Sequence, residues 1–309
     1  MIPFYIITGW LGSGKTTFAK NILNEYGSKK RIAVIQNEFA PSGVDGQELK
    51  KTEQPFELVE INNGSVFCVC QLDNFTKTLE KLANDYQPEA IFLEASGLAD
   101  PISIAEILQT NELRDKISLK FIYTVIDALN FERTFRMMER FKHQVLVADK
   151  LIVNKVELQD NLDSVLTKLE QWNPFAEIIE TSYCEFDLEG TFDEEKIQAE
   201  KSQMMIPLTK GGNKPDMGLS LLRLHDKISK EGLIEFIEEI KPTSQRIKGF
   251  VNLKDGSTMA VQTVYDDFQY TKMETEYEGR TELIIFNNEY GPRELQKLFK
   301  AKTKENAIL

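Results

Sequence analysis

The chain has 309 residues, 41% hydrophobic and 28% charged, which supplies a substantial core and leaves room for two domains. A net charge of −12, spread without a basic block, argues against nucleic acid or an anionic membrane as the main partner. No apolar run approaches the ~18 residues of a membrane span and no basic leader precedes the first strand. Three cysteines (Cys68, Cys70, Cys184) cannot build a disulfide framework, so the expectation is a protein of the reducing cytoplasm.

In chain order, the apolar run Phe4-Tyr5-Ile6-Ile7 reads as a buried strand and Thr17 to Glu25 as a helix. Between them lies Gly9-Trp10-Leu11-Gly12-Ser13-Gly14-Lys15-Thr16. Strand, glycine-rich turn and helix, in that order, are the context of a phosphate-binding loop. Its amides, at Gly9, Gly12, Ser13 and Gly14, would turn onto phosphate oxygens, with Thr17 behind in the helix start. Lys15 would reach the β- and γ-phosphates and the Thr16 hydroxyl would ligate Mg²⁺.

Arg31 to Gln36 is a short strand, followed by a loop from Asn37 to Gly46 rich in turn residues and carboxylates. Glu57 to Ile61 alternates like a strand, and Leu72 to Tyr86 has helical spacing with Phe75, Leu79 and Leu82 on one face. Ala90 to Glu94 is a buried strand and Pro101 opens a helix to about Leu113. Leu119 to Ile126 is a strand, Phe131 to Phe141 one helix, and Leu151 to Val153 a strand ending at Asn154-Lys155. Asp160 to Trp172 is a helix and Ala176 to Ile179 a last strand. This alternation predicts an α/β fold: a P-loop domain over residues 1–184 whose mostly parallel sheet is covered by helices on both faces. Ligands then belong at the strands' carboxyl ends.

Residues 185–218 read as a linker, acidic at first and then rich in glycine. Beyond it, Leu219–Leu224, Ile247–Leu253, Met259–Tyr265 and Glu282–Phe286 read as strands, with helices over Lys230–Glu239 and Pro292–Phe299. Residues 219–309 are thus a small α+β domain. His143 and His225 form no cluster, and each reads as a surface or capping residue.

Two further strand ends carry chemistry. Glu94-Ala95-Ser96-Gly97 places a carboxylate where it would hold a Mg²⁺-bound water, with the Gly97 amide near a γ-phosphate. Asn154-Lys155-Val156-Glu157 resembles the Asn-Lys-x-Asp element of GTPases, whose carboxylate accepts two N–H bonds from guanine; Glu157 is one methylene longer.

Taken with Asn37-Glu38-Phe39, Gly43-Val44-Asp45-Gly46, Asn63-Gly64, Glu94 through Pro101, Val125 through Ala128 and Ala148-Asp149, these elements run in the order of the CobW-type GTPases. Those are relatives of the urease and hydrogenase nickel-insertion GTPases. The match is close over about residues 1–182 and looser over 219–300, where Arg246 to Phe250 resembles the family's C-terminal strand segment. The resemblance implies a metal-handling GTPase that uses GTP and Mg²⁺, releases metal to a client protein, itself a metalloenzyme or corrinoid protein, and passes through a nucleotide-dependent homodimer.

The family's Cys-x-Cys-Cys after Asn-Gly is incomplete here, because Ser65 and Phe67 replace its first two cysteines. Cys68 and Cys70, with Glu38, are either ligands for zinc or another divalent transition metal, or small buried apolar side chains. In an extended segment both thiols would lie on one side. Glu38 or Asp45 would orient the neighbourhood of the attacking water, beside Lys15 and Glu94. No glutamine follows Gly97, so turnover is expected to be slow without dimerisation or a client. A GTP-driven switch that binds no metal, and an ATP-using small-molecule kinase or ligase, are the competing readings.

Overall fold

The computed structural model describes residues 1–37, 57–61, 69–97, 99–137, 139–187, 218–264, 267–273, 280–287, 289–305 and 307. Glu38, Asp45 and Cys68 lie outside them. The first part of the chain runs β1 (Ile2–Thr8), α1 (Lys15–Tyr26), β2 (Ile32–Asn37), β3 (Glu57–Ile61), α2 (Val69–Lys81), β4 (Ala90–Glu94) and α3 (Pro101–Ile107). It continues through β5 (Ile117–Asp127), α4 (Phe131–Met137), α5 (Glu139–Val147), β6 (Lys150–Asn154), α6 (Asp163–Trp172) and β7 (Glu177–Thr181).

The seven strands form one sheet in the order β3-β2-β4-β1-β5-β6-β7, and every pairing is parallel. β1 is central and buried on both faces. Phe4 and Ile6 pack with Phe75 and Leu79 of α2 and Ile102 of α3, while Tyr5 and Ile7 pack with Phe18, Ile22 and Leu23 of α1. A side-chain period of two explains how one unbroken apolar run serves two cores. Each fully buried side chain contributes about 1.5–3 kcal/mol of transfer free energy. The strand order reverses around β1, so the loops after β1, β4, β5 and β6 meet at one crevice.

Several predicted boundaries need correction. Helix is described over Phe131–Met137 and Glu139–Val147, so helical structure reaches past the expected end at Phe141 to Val147. Phe131, Phe135, Phe141 and Val145 all enter one core cluster. The helix from Pro101 is shorter than expected: it ends at Ile107 and gives way to turns, with the Leu113 amide donating to the Thr110 carbonyl. The chain is already helical at Val69, ahead of the expected start at Leu72, and the last turn, Leu82–Tyr86, is π-helical. Cys70 therefore lies in a helix, so strand-like alternation does not govern it.

The second part comprises β8 (Gly218–Leu224), α7 (Lys230–Ile240), β9 (Ser244–Asn252), β10 (Thr258–Val264), β11 (Asp267–Lys272), β12 (Thr281–Asn287) and α8 (Pro292–Thr303). Its sheet is antiparallel in the order β11-β10-β9-β12-β8. β11 escapes the sequence reading because Asp266-Asp267 looks like a turn and an edge strand pairs on one side only. One face of this sheet carries α7 and α8 through Leu233, Phe236, Ile237, Leu295 and Phe299. The register places Leu221 and Arg223 of β8, Lys248 and Phe250 of β9, and Glu282 and Ile284 of β12 on the opposite face. Leu221 and Ile284 join the core beneath α2 and α3, and Phe250 joins that of α5 and α6. The second sheet thus closes over the helices of the first.

Candidate functional site

The glycine loop connects β1 to α1. α1 starts at Gly14 with no side chain capping it, and the amides of an uncapped first turn are where a helix receives phosphate oxygens. Gly14 has φ 114°, and a Cβ there would sit 2.4 Å from Asn154 Nδ2. No other residue fits. Lys15 Nζ donates to the Trp10 carbonyl at 3.1 Å, which holds the ammonium across the loop. Thr16 and Thr17 follow on the first turn of α1, and the Thr16 hydroxyl donates to Glu94 Oε1 at 2.7 Å.

Glu94 is the last residue of β4, which pairs directly with β1, and parallel register sets Gln36 of β2 beside it. Gln36 Nε2 donates to Glu94 Oε2 at 2.8 Å, so both carboxylate oxygens are held. Gln36 is 5% exposed and its Oε1 has no hydrogen-bond partner among the described residues; the same is true of the buried Thr8 and Ser13 hydroxyls. A hydroxyl and a carboxylate in contact, beside the unpartnered amide oxygen of Gln36, form a hard-oxygen donor set that fits Mg²⁺ and its water shell. Gln36 was not anticipated; its signal was a polar residue closing an otherwise apolar strand.

On the other side of the loop, Asn154 is 3% exposed at the end of β6. Its Nδ2 donates to the Ser13 carbonyl at 2.9 Å and its Oδ1 accepts from the Cys184 amide at 3.0 Å. Lys155, at φ 65°, donates to the Gly12 carbonyl at 2.7 Å and to Asp127 Oδ2 at 2.6 Å. Burial pushes the Asp127 carboxyl up, but the Lys155 and Asn130 hydrogen bonds win and hold it below its ordinary value. Glu157 is exposed, and Ser182 donates to its Oε2 at 2.5 Å. The loop after β7 thus belongs to the site, a second feature that sequence reading missed. Tyr183 and Cys184 are both left-handed there, held by Asn21 Nδ2 donating at 2.9 Å to each carbonyl. Burial raises the Cys184 thiol to about 12, so it stays a neutral, packed side chain.

Gly97 closes the third side. A Cβ on it would lie 2.9 Å from the Leu11 amide, so only glycine lets the loop after β4 touch the phosphate loop. Behind it, Gln144 Nε2 donates to the carbonyls of Gly97 at 3.1 Å and Ala99 at 2.9 Å. His143 needs correction: it is not a surface or capping residue. Its Nδ1 is 3.3 Å from Asp100 Oδ1 and its Nε2 is 3.0 Å from Glu282 Oε2, with Arg223 on the other Glu282 oxygen at 3.0 Å. Cys70 falls in α2, and no group of three or more His, Cys, Asp or Glu that could hold a metal occurs among the described residues.

Burial alone would lower the His143 imidazole, yet the hydrogen bonds and charges of Asp100 and Glu282 override it and raise it to about 9. Both carboxylates are pushed up by burial and pulled lower still by His143. A raised folded value stabilises fully below the unfolded value of 6.5 and is lost as pH climbs through 9. The lowered carboxyls stabilise above 3.8 and 4.5 and lose that contribution as pH falls through their folded values. The melting temperature is expected to fall by about 5 °C from pH 6.5 to about 9. His143→Gln should remove most of that slope in differential scanning calorimetry; an unchanged slope would refute the assignment.

These loops, gathered at the carboxyl ends of a parallel sheet, define a P-loop nucleotide-binding protein. Residues 3–180 match the family described as CobW/HypB/UreG, nucleotide-binding domain, and the chain belongs to that family. It is 31% identical over 188 residues to the zinc chaperone CobW of a Sinorhizobium species, covering 52% of each chain. It is 34% identical over 200 residues to the zinc-regulated GTPase metalloprotein activator 1 of Schizosaccharomyces pombe, covering 60% of this chain and 47% of the relative. The chain spans about half the length of these curated relatives. The Zn(II)-bound YjiA GTPase of E. coli superposes with a TM-score of 0.51 at 18% identity, over 97% of this chain and 98% of that one, a likeness of fold. No described helix is long and apolar enough to cross a membrane.

Proposed function

We propose that the chain binds and slowly hydrolyses GTP with Mg²⁺, and that this cycle delivers a divalent transition metal to a client protein in the cytoplasm. The observation that carries the nucleotide reading is Asn154, which ties the phosphate loop at Ser13 to the loop after β7 at Cys184. Glu157 beside Ser182 then offers guanine an acceptor at the open edge. Adenine presents the opposite polarity there and is disfavoured. The metal reading rests on family membership and on relatives named as zinc chaperones, so zinc is the expected cargo.

In this scheme residues 1–184 do the nucleotide work, 185–218 link, and 219–309 form a C-terminal CobW-like α+β domain. Lys15 and the loop amides hold the phosphates, while Thr16 ligates Mg²⁺ with Glu94 behind it. The ion supplies charge neutralisation at the β- and γ-phosphate oxygens. Glu38 and Asp45 serve the attacking water or the cargo, and Cys68 and Cys70 contribute thiolates to the cargo. With no glutamine after Gly97, turnover waits on a homodimer or a client.

Competition of GTP, GDP and ATP for one fluorescent nucleotide tests the first half. GTP should displace the probe at least ~10-fold better than ATP, about 1.4 kcal/mol; a tenfold preference for ATP sinks the proposal. Titration with Zn²⁺, Co²⁺ and Ni²⁺, with and without GTP, tests the second half on wild type and on Cys68→Ser/Cys70→Ser. Loss of binding in the double variant supports delivery. Cysteine-independent or absent binding leaves a GTP-driven switch that remodels its partner without metal, the reading that Ser65 and Phe67 favour.

A further inference from the structure

α5 carries two adjacent polar side chains, His143 and Gln144, between the buried Phe141 and Val145. They face different elements. Gln144 is 0% exposed and holds the Gly97 and Ala99 carbonyls, while its own backbone carbonyl accepts from Thr124 of β5 at 2.9 Å. His143 joins Asp100, at the far end of the same loop, to Glu282 of β12, and Arg223 of β8 extends the chain of charges. Asp100 is itself fixed as the cap of α3, accepting from the Ile102 amide at 3.0 Å and from Ser103 at 3.2 Å.

Consider a displacement of the Gly97 loop by about 1 Å, the scale of an interface shift in switching proteins. Gln144 is sealed from water, so breaking its two bonds would strand two carbonyls at roughly 1–3 kcal/mol each. The two hydrogen bonds therefore oppose any separation of the Gly97 loop from α5 and tie the helix to the loop's position. His143 then moves with α5, and its hydrogen bonds to two carboxylates, stronger than neutral ones, pull on β12.

We propose that His143 and Gln144 act as a strut that conveys the nucleotide state sensed at Gly97 to β12 and β8 of the second sheet. They are positioning residues, since neither lies in the phosphate or base loops. The inference rests on the reading of the crevice as a GTP site, and it names the output of that site. The face of β8 and β12 that covers α2, α3 and α5 is the moving part.

Hydrogen exchange on the full chain, with GDP and with a non-hydrolysable GTP analogue, tests it. Wild type should exchange about threefold more slowly over residues 281–287 with the analogue than with GDP. His143→Ala should erase that difference while leaving GDP affinity within about threefold. Glu282→Gln keeps the shape and removes the charge, and should erase it as well, so a poorly folded first variant does not decide the matter. Lys248→Met removes a different tie across the same interface, the Nζ bond to the Ala148 carbonyl, and should retain the nucleotide difference. GTP binding without a response in 281–287, or a response that survives both His143→Ala and Glu282→Gln, overturns the strut alone. Failure to bind GTP at all overturns the functional reading and the strut with it.

Discussion

Lys15→Ala is expected to lower GTP hydrolysis by about 10³-fold in kcat/KM, with the fold intact. The ammonium is held across the loop by the Trp10 carbonyl, which belongs to the loop itself. Losing one such hydrogen bond costs about 1 kcal/mol of stability. Losing a positive charge at the point where γ-phosphate charge develops costs far more, since no side-chain cation elsewhere in the loop replaces it. Malachite-green assays at saturating GTP, beside a melting curve, separate the two effects. A variant that keeps a tenth of wild-type activity would show that Lys15 is not the phosphate clamp.

Asn154→Ala should be the most damaging change on the base side, weakening GTP by ~10²-fold and lowering the melting temperature by about 5–10 °C. The side chain is buried between two backbone groups that have to be satisfied, the Ser13 carbonyl and the Cys184 amide. Alanine strands both at a cost of roughly 1–3 kcal/mol each, and it frees the phosphate loop from the loop after β7. Asn154→Asp offers a second reading of the same contact. It keeps an acceptor for Cys184 but turns an anion toward the Ser13 carbonyl, so it should be no better than alanine. Isothermal titration with GTP decides: either variant binding within threefold of wild type would remove Asn154 from the site.

The phosphate loop, Glu94, and Asn154 to Glu157 were legible because their chemistry depends on local geometry. A strand end, a glycine turn and a helix start fix spacing along a few consecutive residues, and that spacing survives in one dimension. The parallel sheet was legible for a similar reason: apolar runs such as Phe4 to Ile7 have to be covered on both faces. Boundaries were less so. β11 is an edge strand that opens on an acid, Asp267.

What only the tertiary structure decided are the meetings across the chain. Gln36 reaches Glu94 because β2 and β4 are neighbours in register, and Ser182 reaches Glu157 because β7 lies beside β6. His143 looked like a surface residue because nothing near it in sequence carries its partners; they come from the loop after β4 and from β12. Sequence by itself determined the family, the phosphate loop and the direction of the sheet, since those are set by local pattern. It could not determine how the second sheet is wired to the crevice. Two polar residues on one helix find Gly97 and Glu282 only when the helix is packed between them.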